Sequence, residues 1–424
     1  MSSELFDKYI NILREELVPA MGCTEPIALA YGAACVRELL GALPEQVEVS
    51  VSGNLVKNAK SVTVPNTDGL RGIEASVAAG LVAGQADRQL EVIAHVNDDD
   101  RAAIREYLSR DIIRVTLSDS DLAFDYTIRV ISGENQAELR IANAHTNIVY
   151  RRRNGEILSD TPVHSESCDG MSDHGCLTVE DIVRFASEAD LTEVIPLLEQ
   201  QIEYNCAICE EGLRNQWGAC IGRTINRFSA GDSISRAKAR AAAGSDARMN
   251  GCAMPVVIIS GSGNQGITAC VPVVSYAEDL GVSREKLLRA LTLADLVAIH
   301  LKTGIGRLSA FCGAVCAGVG AGAGICFLEG GGFKEIAHTI VNALAISSGI
   351  ICDGAKASCA AKIALSVEAG IMGWNMYKCD NQFLSGDGII AKGVENTIRN
   401  IGTLGHEGMK ATDRKILEIM TGCR

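Results

Sequence analysis

Apolar positions along the chain follow two rhythms. Residues 1–42 carry the helical one: Met1 to Leu17 reads as an amphipathic helix with charges throughout, and Ile27 to Leu40 as a second. Pro19 to Cys23 breaks them, Thr24 is placed to cap the second helix, Glu25 lies in its first turn and Pro26 is tolerated there. From residue 46 to 152 the rhythm changes to two. Val47, Val49 and Val51 alternate with polar residues, and Leu90 to His95, Ile112 to Leu117, Tyr126 to Ile131 and Ala137 to Ala142 read as further strands. Helices near Gly72 to Ala83 and Asp99 to Leu108 fall between them. Asp98 or Asp99 caps the second, so the Asp98-Asp99-Asp100 run reads as a helix start rather than a metal site. Residues 154–177 form a polar connector. From Val179 onward the helical period returns, over Asp181 to Trp217, Ser283 to Leu301, Glu335 to Ser347 and Lys356 to Ala369, with Gly-rich turns between.

These patterns predict an α+β fold. Residues 1–42 plus 178–424 form a mostly helical domain of buried Gly/Ala-rich helices, and residues 43–177 are an inserted α+β sheet domain with its polar connector. The length of 424 residues suits two or three domains. A net charge of −13 argues against nucleic acid and anionic membrane as partners. The one basic run, Arg151 to Arg153, reads as a solvated strand end. Leu308 to Leu328 is uncharged and long enough to span a bilayer, but its Gly and Ala content reads as a buried pair of helices in a soluble protein. No basic segment leads into an apolar one at the N-terminus, so a cytoplasmic location is expected. There the 16 cysteines would be thiols, ligands or catalytic groups rather than disulfides. Apolar Gly/Ala helices also suit a homodimer.

Several motifs carry candidate chemistry. His164, Cys168, His174 and Cys176 are metal-ligand types, but their spacing matches no standard zinc module and a polar loop is the simpler reading. Cys206 and Cys209 lie within a helical stretch, where core packing is expected. Cys23 precedes a helix, whose dipole should depress its pKa; it reads as a reactive or ligating thiol, or as a small buried residue. The loop Ser260 to Gly266 follows the apolar run Val256 to Ile259 and would cradle a carboxylate or phosphate; its glycine spacing is not a dinucleotide fingerprint. Cys312, Cys352 and Cys359 lie on loops between small-residue helices and could hold an iron–sulfur cluster. Cys316 and Cys326 read as packing residues.

In order along the chain come Gly22-Cys23-Thr24-Glu25-Pro26, Val51-Ser52-Gly53-Asn54 with Lys57-Asn58-Ala59, the Ser260 to Gly266 loop, and Cys352 to Cys359. Together, and over nearly the whole chain, they resemble the L-cysteine desulfidase family of pyridoxal-independent iron–sulfur enzymes. A more distant likeness runs to the α region of iron–sulfur L-serine dehydratases, through Cys312-Gly313, Cys352-Asp353 and Cys359. Gly354-Ala355 stands where that family has Pro-Val, and Cys23-Thr24-Glu25 near its Ser/His-Thr motif.

The resemblance implies a 4Fe–4S cluster on Cys312, Cys352 and Cys359, with one iron left open as a Lewis acid and no pyridoxal phosphate. It implies α,β-elimination of L-cysteine to pyruvate, ammonia and sulfide. The substrate carboxylate would lie on Ser260, Ser262, Asn264 and Gly266, with Asn54, Lys57 and Asn58 closing the site from the sheet domain. Cys23 is the first choice of base, Lys356 the second and Lys302 the third; His300 reads as a core histidine. Cys423, near the C-terminus, is a candidate tail thiol for the open iron. The alternatives are an L-serine dehydratase and a non-catalytic amino-acid-binding protein.

Overall fold

A computed structural model describes residues 3–120, 122–163, 172–229 and 231–422. The first part of the chain runs α1 (Ser3–Glu16), β1 (Pro19–Met21), α2 (Thr24–Leu40), β2 (Gln46–Val51), α3 (Gly53–Ala59), α4 (Gly72–Ala83) and α5 (Asp98–Ser109). It continues with β3 (Ile113–Leu117), β4 (Asp125–Ser132), β5 (Asn135–Ala142), β6 (Ile148–Arg153) and β7 (Glu156–Asp160). The six longer strands form one sheet in the order β3-β2-β4-β5-β6-β7, parallel at β2/β3 and antiparallel elsewhere. Alternation sets its faces: Val47, Val49 and Val51 are buried while Gln46 and Glu48 are exposed. The apolar face lies under α2, which packs on β4, β5 and α4.

The rest is helical: α6 (Val179–Glu188), α7 (Ile195–Arg214), α8 (Ile221–Phe228), α9 (Ser233–Met249), then the short β8 (Pro255–Val257). There follow α10 (Gly263–Leu280), α11 (Arg284–Ile305), α12 (Gly313–Leu328), α13 (Phe333–Ser347), α14 (Cys359–Lys378), α15 (Val394–Thr403) and α16 (Lys410–Thr421). The buried α12 is the hub, packed against α10, α11, α13 and α14. Its glycines permit this. A Cβ at Gly322 would fall 2.4 Å from the Gly370 carbonyl oxygen of α14, so the two backbones touch. Small-residue packing is how a core with only 4% aromatic residues is filled. One continuous apolar core joins the sheet and the helices.

Some expectations fail for local reasons. Leu90 to His95 is not a strand: Gln89 turns the chain at φ +48, and a 3₁₀ turn (Ala86–Glu91) packs on α2 with Leu90, Val92 and Ile93 buried. Residues 154–177 are not all connector, since they hold the edge strand β7 and a 3₁₀ turn at His174–Cys176. Asp181 to Trp217 is two helices, broken where Asp190 accepts the Thr192 N–H at 2.9 Å in a local turn. The cap of α2 is Cys23 rather than Thr24. That of α5 is Asn97, reciprocally bonded with Asp100, rather than Asp98 or Asp99. Leu308 to Leu328 holds one helix, α12, preceded by a loop, rather than a pair. Among the described residues no helix is long and apolar enough to cross a membrane.

Candidate active site

Four helices begin at one cavity of about 100 Å³. Cys23 caps α2, Ser262 caps α10 by accepting the Gln265 N–H, Cys312 caps α12, and Cys359 is the first residue of α14. Unpaired N–H groups and the positive ends of four helix dipoles therefore gather here. Short contacts hold the loops together. Cys312 N–H donates to the Ile350 carbonyl at 3.1 Å and Cys352 N–H to the Ala310 carbonyl at 2.6 Å, bridging two segments side by side. Gly354 then turns the chain at φ +93, where a Cβ would lie 2.2 Å from the Lys57 carbonyl oxygen; only glycine fits both demands. The Thr24 hydroxyl donates to the Gly261 carbonyl at 2.8 Å, tying α2 to the loop before α10.

Cys23, Asn58, Ser262, Asn264, Lys302, Cys312, Cys352 and Cys359 all border the cavity. Asn54, Ser260, Gly266 and Lys356 are not on its wall. Ser260 takes a turn conformation at φ +49, and Gly266 lets α10 approach β8, since a Cβ there would lie 2.0 Å from the Val257 oxygen. The Lys356 ammonium is held by Asp353 and by the Gly354 carbonyl at 3.1 Å. His300 is bonded to Glu395 at 2.8 Å, and Cys209, Cys316 and Cys326 are buried in their helices. His164, Cys168 and Cys423 lie outside the described residues. Two residues that sequence reasoning passed over, Arg248 and Arg307, border the cavity beside Glu25. Arg307 is anchored by buried Glu16 at 2.6 Å.

Electrostatics reverse one expectation. Cys23 is not a depressed helix-terminus thiolate. Burial and the neighbouring Glu25 carboxylate push its pKa well up, and its thiol donates to Glu25 at 3.2 Å. The thiol pushed down is that of Cys352, which lies against Cys312. Contact with the Cys312 thiol, then the charge of Lys57 and the Gly354 N–H, lower the Cys352 pKa. The same contact and burial push the Cys312 pKa up. Lys57 is buried and ion-paired to Asp413 of α16. Lys302 is 4% exposed and burial lowers its pKa, and among the described residues no hydrogen bond or ion pair engages its amino group.

Three thiols at one wall, with the buried, ion-paired Lys57 ammonium near them, suit an anionic iron–sulfur cluster. Among the described residues no three His, Cys, Asp or Glu side chains close on one point tightly enough for a single metal ion. A 4Fe–4S cluster takes cysteine thiolates and carries net negative charge, and three cysteines beside a buried cation are the donor set and charge balance it needs.

The serine dehydratase alpha chain family matches residues 87–418, a stretch that includes the Ser260 to Gly266 loop and all three of these cysteines. A UPF0597 protein of Desulfitobacterium hafniense is 56% identical over 415 residues, covering 98% of this chain and 96% of its own. One of Finegoldia magna is 48% identical over 418 residues, covering 97% and 99%. One of Lachnoclostridium phytofermentans is 46% identical over 417 residues, covering 98% and 100%. With more than three quarters of its length matched, the chain belongs to the serine dehydratase alpha chain family.

Proposed function

We propose that this protein is an iron–sulfur lyase that converts L-cysteine and water to pyruvate, ammonia and hydrogen sulfide. The observation that carries the reading is the meeting of Cys312, Cys352 and Cys359 at one cavity with Ser262, Asn264 and Lys302. The three cysteines would hold a 4Fe–4S cluster. Bound there, the cluster supplies Lewis acidity toward a departing sulfur or oxygen.

The chain's own residues do the rest. The substrate carboxylate lies at the first turn of α10, against Ser262, Asn264 and free N–H groups. Lys302 is the preferred base: it borders the cavity, its amine is unengaged, and burial favours its neutral form. Lys356 is committed to Asp353, and Cys23, a neutral thiol bonded to Glu25, is a proton donor rather than an acceptor. Lys302 takes the α-proton, the electron pair forms the Cα–Cβ double bond, and sulfide leaves Cβ. The resulting aminoacrylate tautomerises to an imine, and water releases ammonia from it to leave pyruvate.

The Gly22-Cys23-Thr24-Glu25-Pro26 motif favours cysteine; the family match favours L-serine as a second reading, with water leaving instead. Anaerobic kcat/KM values for L-cysteine and L-serine decide. Preference for cysteine with stoichiometric sulfide and pyruvate supports the first reading, and preference for serine replaces it with the second. Binding of both without turnover would make this an amino-acid-binding protein.

A further inference from the structure

Arg248, near the end of α9, is only 2% exposed. Its Nη1 donates to Asn264 Oδ1 at 3.2 Å. Its Nε and Nη2 are buried and, among the described residues, have no hydrogen-bond partner. A guanidinium stays charged under all ordinary conditions, so these are two donors of a fixed cation left unmade. Buried donors of this kind are normally satisfied, and an unmade pair on a residue that borders a cavity is a place for a bound group to complete. Arg248 borders the cavity, and it lies against the first residue of α10: a Cβ at Gly263 would fall 2.4 Å from Nε. The missing side chain lets the guanidinium sit beside the helix N-terminus, so a rigid fork and a dipole act on the same point. Asn264 extends the donor edge, because its oxygen is taken by Arg248 and its Nδ2 remains to donate.

We propose that Arg248 and the first turn of α10 form a clamp for the α-carboxylate of a bound amino acid, so that the site accepts free acids and rejects their amides. The proposal rests on the amino-acid reading of the site given above and adds the residue that enforces it. A planar two-oxygen anion matches the two unmade donors of the fork.

The test is calorimetric titration of the anaerobically reconstituted full chain with L-alanine and L-alaninamide. Neither has a β-leaving group, so binding is read without turnover. The wild type should bind the acid about 30-fold or more tightly than the amide, as expected when a buried charge pair is lost. Arg248→Gln should abolish that preference, and Arg248→Lys, which keeps the charge without the fork, should retain only part of it. Equal wild-type affinity for acid and amide would overturn the clamp, as would undiminished alanine binding by a folded Arg248→Gln. The wild-type comparison stands even where Arg248→Gln does not fold. An acid-selective, Arg248-dependent site without lyase activity would leave the clamp standing and end the lyase reading; turnover without acid selectivity would end the clamp alone.

Discussion

Asp295 is a carboxyl group sealed in the helical core, and it makes a quantitative prediction about stability. It lies on α11 with 0% exposure, and Gln201 of α7 donates Nε2 to its Oδ1 at 3.0 Å. Its Oδ2 and Gln201 Oε1 are buried with no partner among the described residues. Burial raises its pKa from 3.8 to about 7. Below pH 3.8 the group is protonated in both states and contributes no pH dependence. Between there and pH 7 the unfolded chain releases the proton and the folded chain keeps it, so stability falls by about 1.4 kcal/mol per pH unit. Above pH 7 both states are ionised and the deficit stays at about 4 kcal/mol. Asp295→Asn keeps the acceptor for Gln201, offers Oε1 a donor, and cannot ionise. The variant should gain about 3 kcal/mol over the wild type between pH 5 and pH 8. Urea denaturation at the two pH values measures it. A difference between variant and wild type that does not change with pH would refute the reasoning.

Three further outcomes follow from the site and its supports. Gly354→Ala, which combines φ +93 with a Cβ 2.2 Å from a backbone oxygen, should destabilise the fold by about 2–5 kcal/mol, whereas Gly386→Ala, at φ +102 with nothing within 4 Å, should cost only the conformational part; equal losses in thermal melts would contradict this. Lys302→Gln should lower kcat by about 10²–10⁴ while leaving alanine affinity within a few-fold, and a kcat near wild type would remove Lys302 as the base. Burial holds the His145 imidazole, which packs on Phe124 beside Gly261, down to about 4. The unfolded chain therefore takes up a proton as pH falls from 6.5 to 4 while the folded chain does not, so stability is lost over that window. His145→Gln should flatten this part of the acid denaturation profile, and an unchanged profile would count against it.

Much of the fold was legible because its signals are local. The helices α11 and α13 and the strands β2 to β5 carry periodic apolar positions over enough residues to be read alone. The errors fall where tertiary contacts override short patterns. Leu90, Val92 and Ile93 alternate like a strand yet are buried in turns, and β7 is an exposed edge strand with no apolar face to betray it. Strands β1 and β8 are three residues each and exist only as partners of one another. In the site, the cysteines and the glycine loop announce themselves by residue type and local spacing. Arg248 does not. It sits in Ser-Asp-Ala-Arg-Met, which has no motif spacing to mark it, and its burial follows from how α7, α10 and α14 close around α9. The pKa of Cys23 was misjudged for a related reason: the helix dipole is visible in sequence, but the sealing of the thiol against Glu25 is not.

The central claim is that Cys312, Cys352 and Cys359 together make an iron–sulfur lyase site. The most direct test is anaerobic reconstitution with iron and sulfide, followed by the visible absorption spectrum, an iron and labile-sulfide count, and a sulfide assay with L-cysteine. The account predicts a broad cluster absorption and sulfide release from the wild type, both lost in a Cys352→Ala variant that keeps its helical circular dichroism. A cluster spectrum and turnover that survive Cys352→Ala, or a wild type that gains neither on reconstitution, would contradict it.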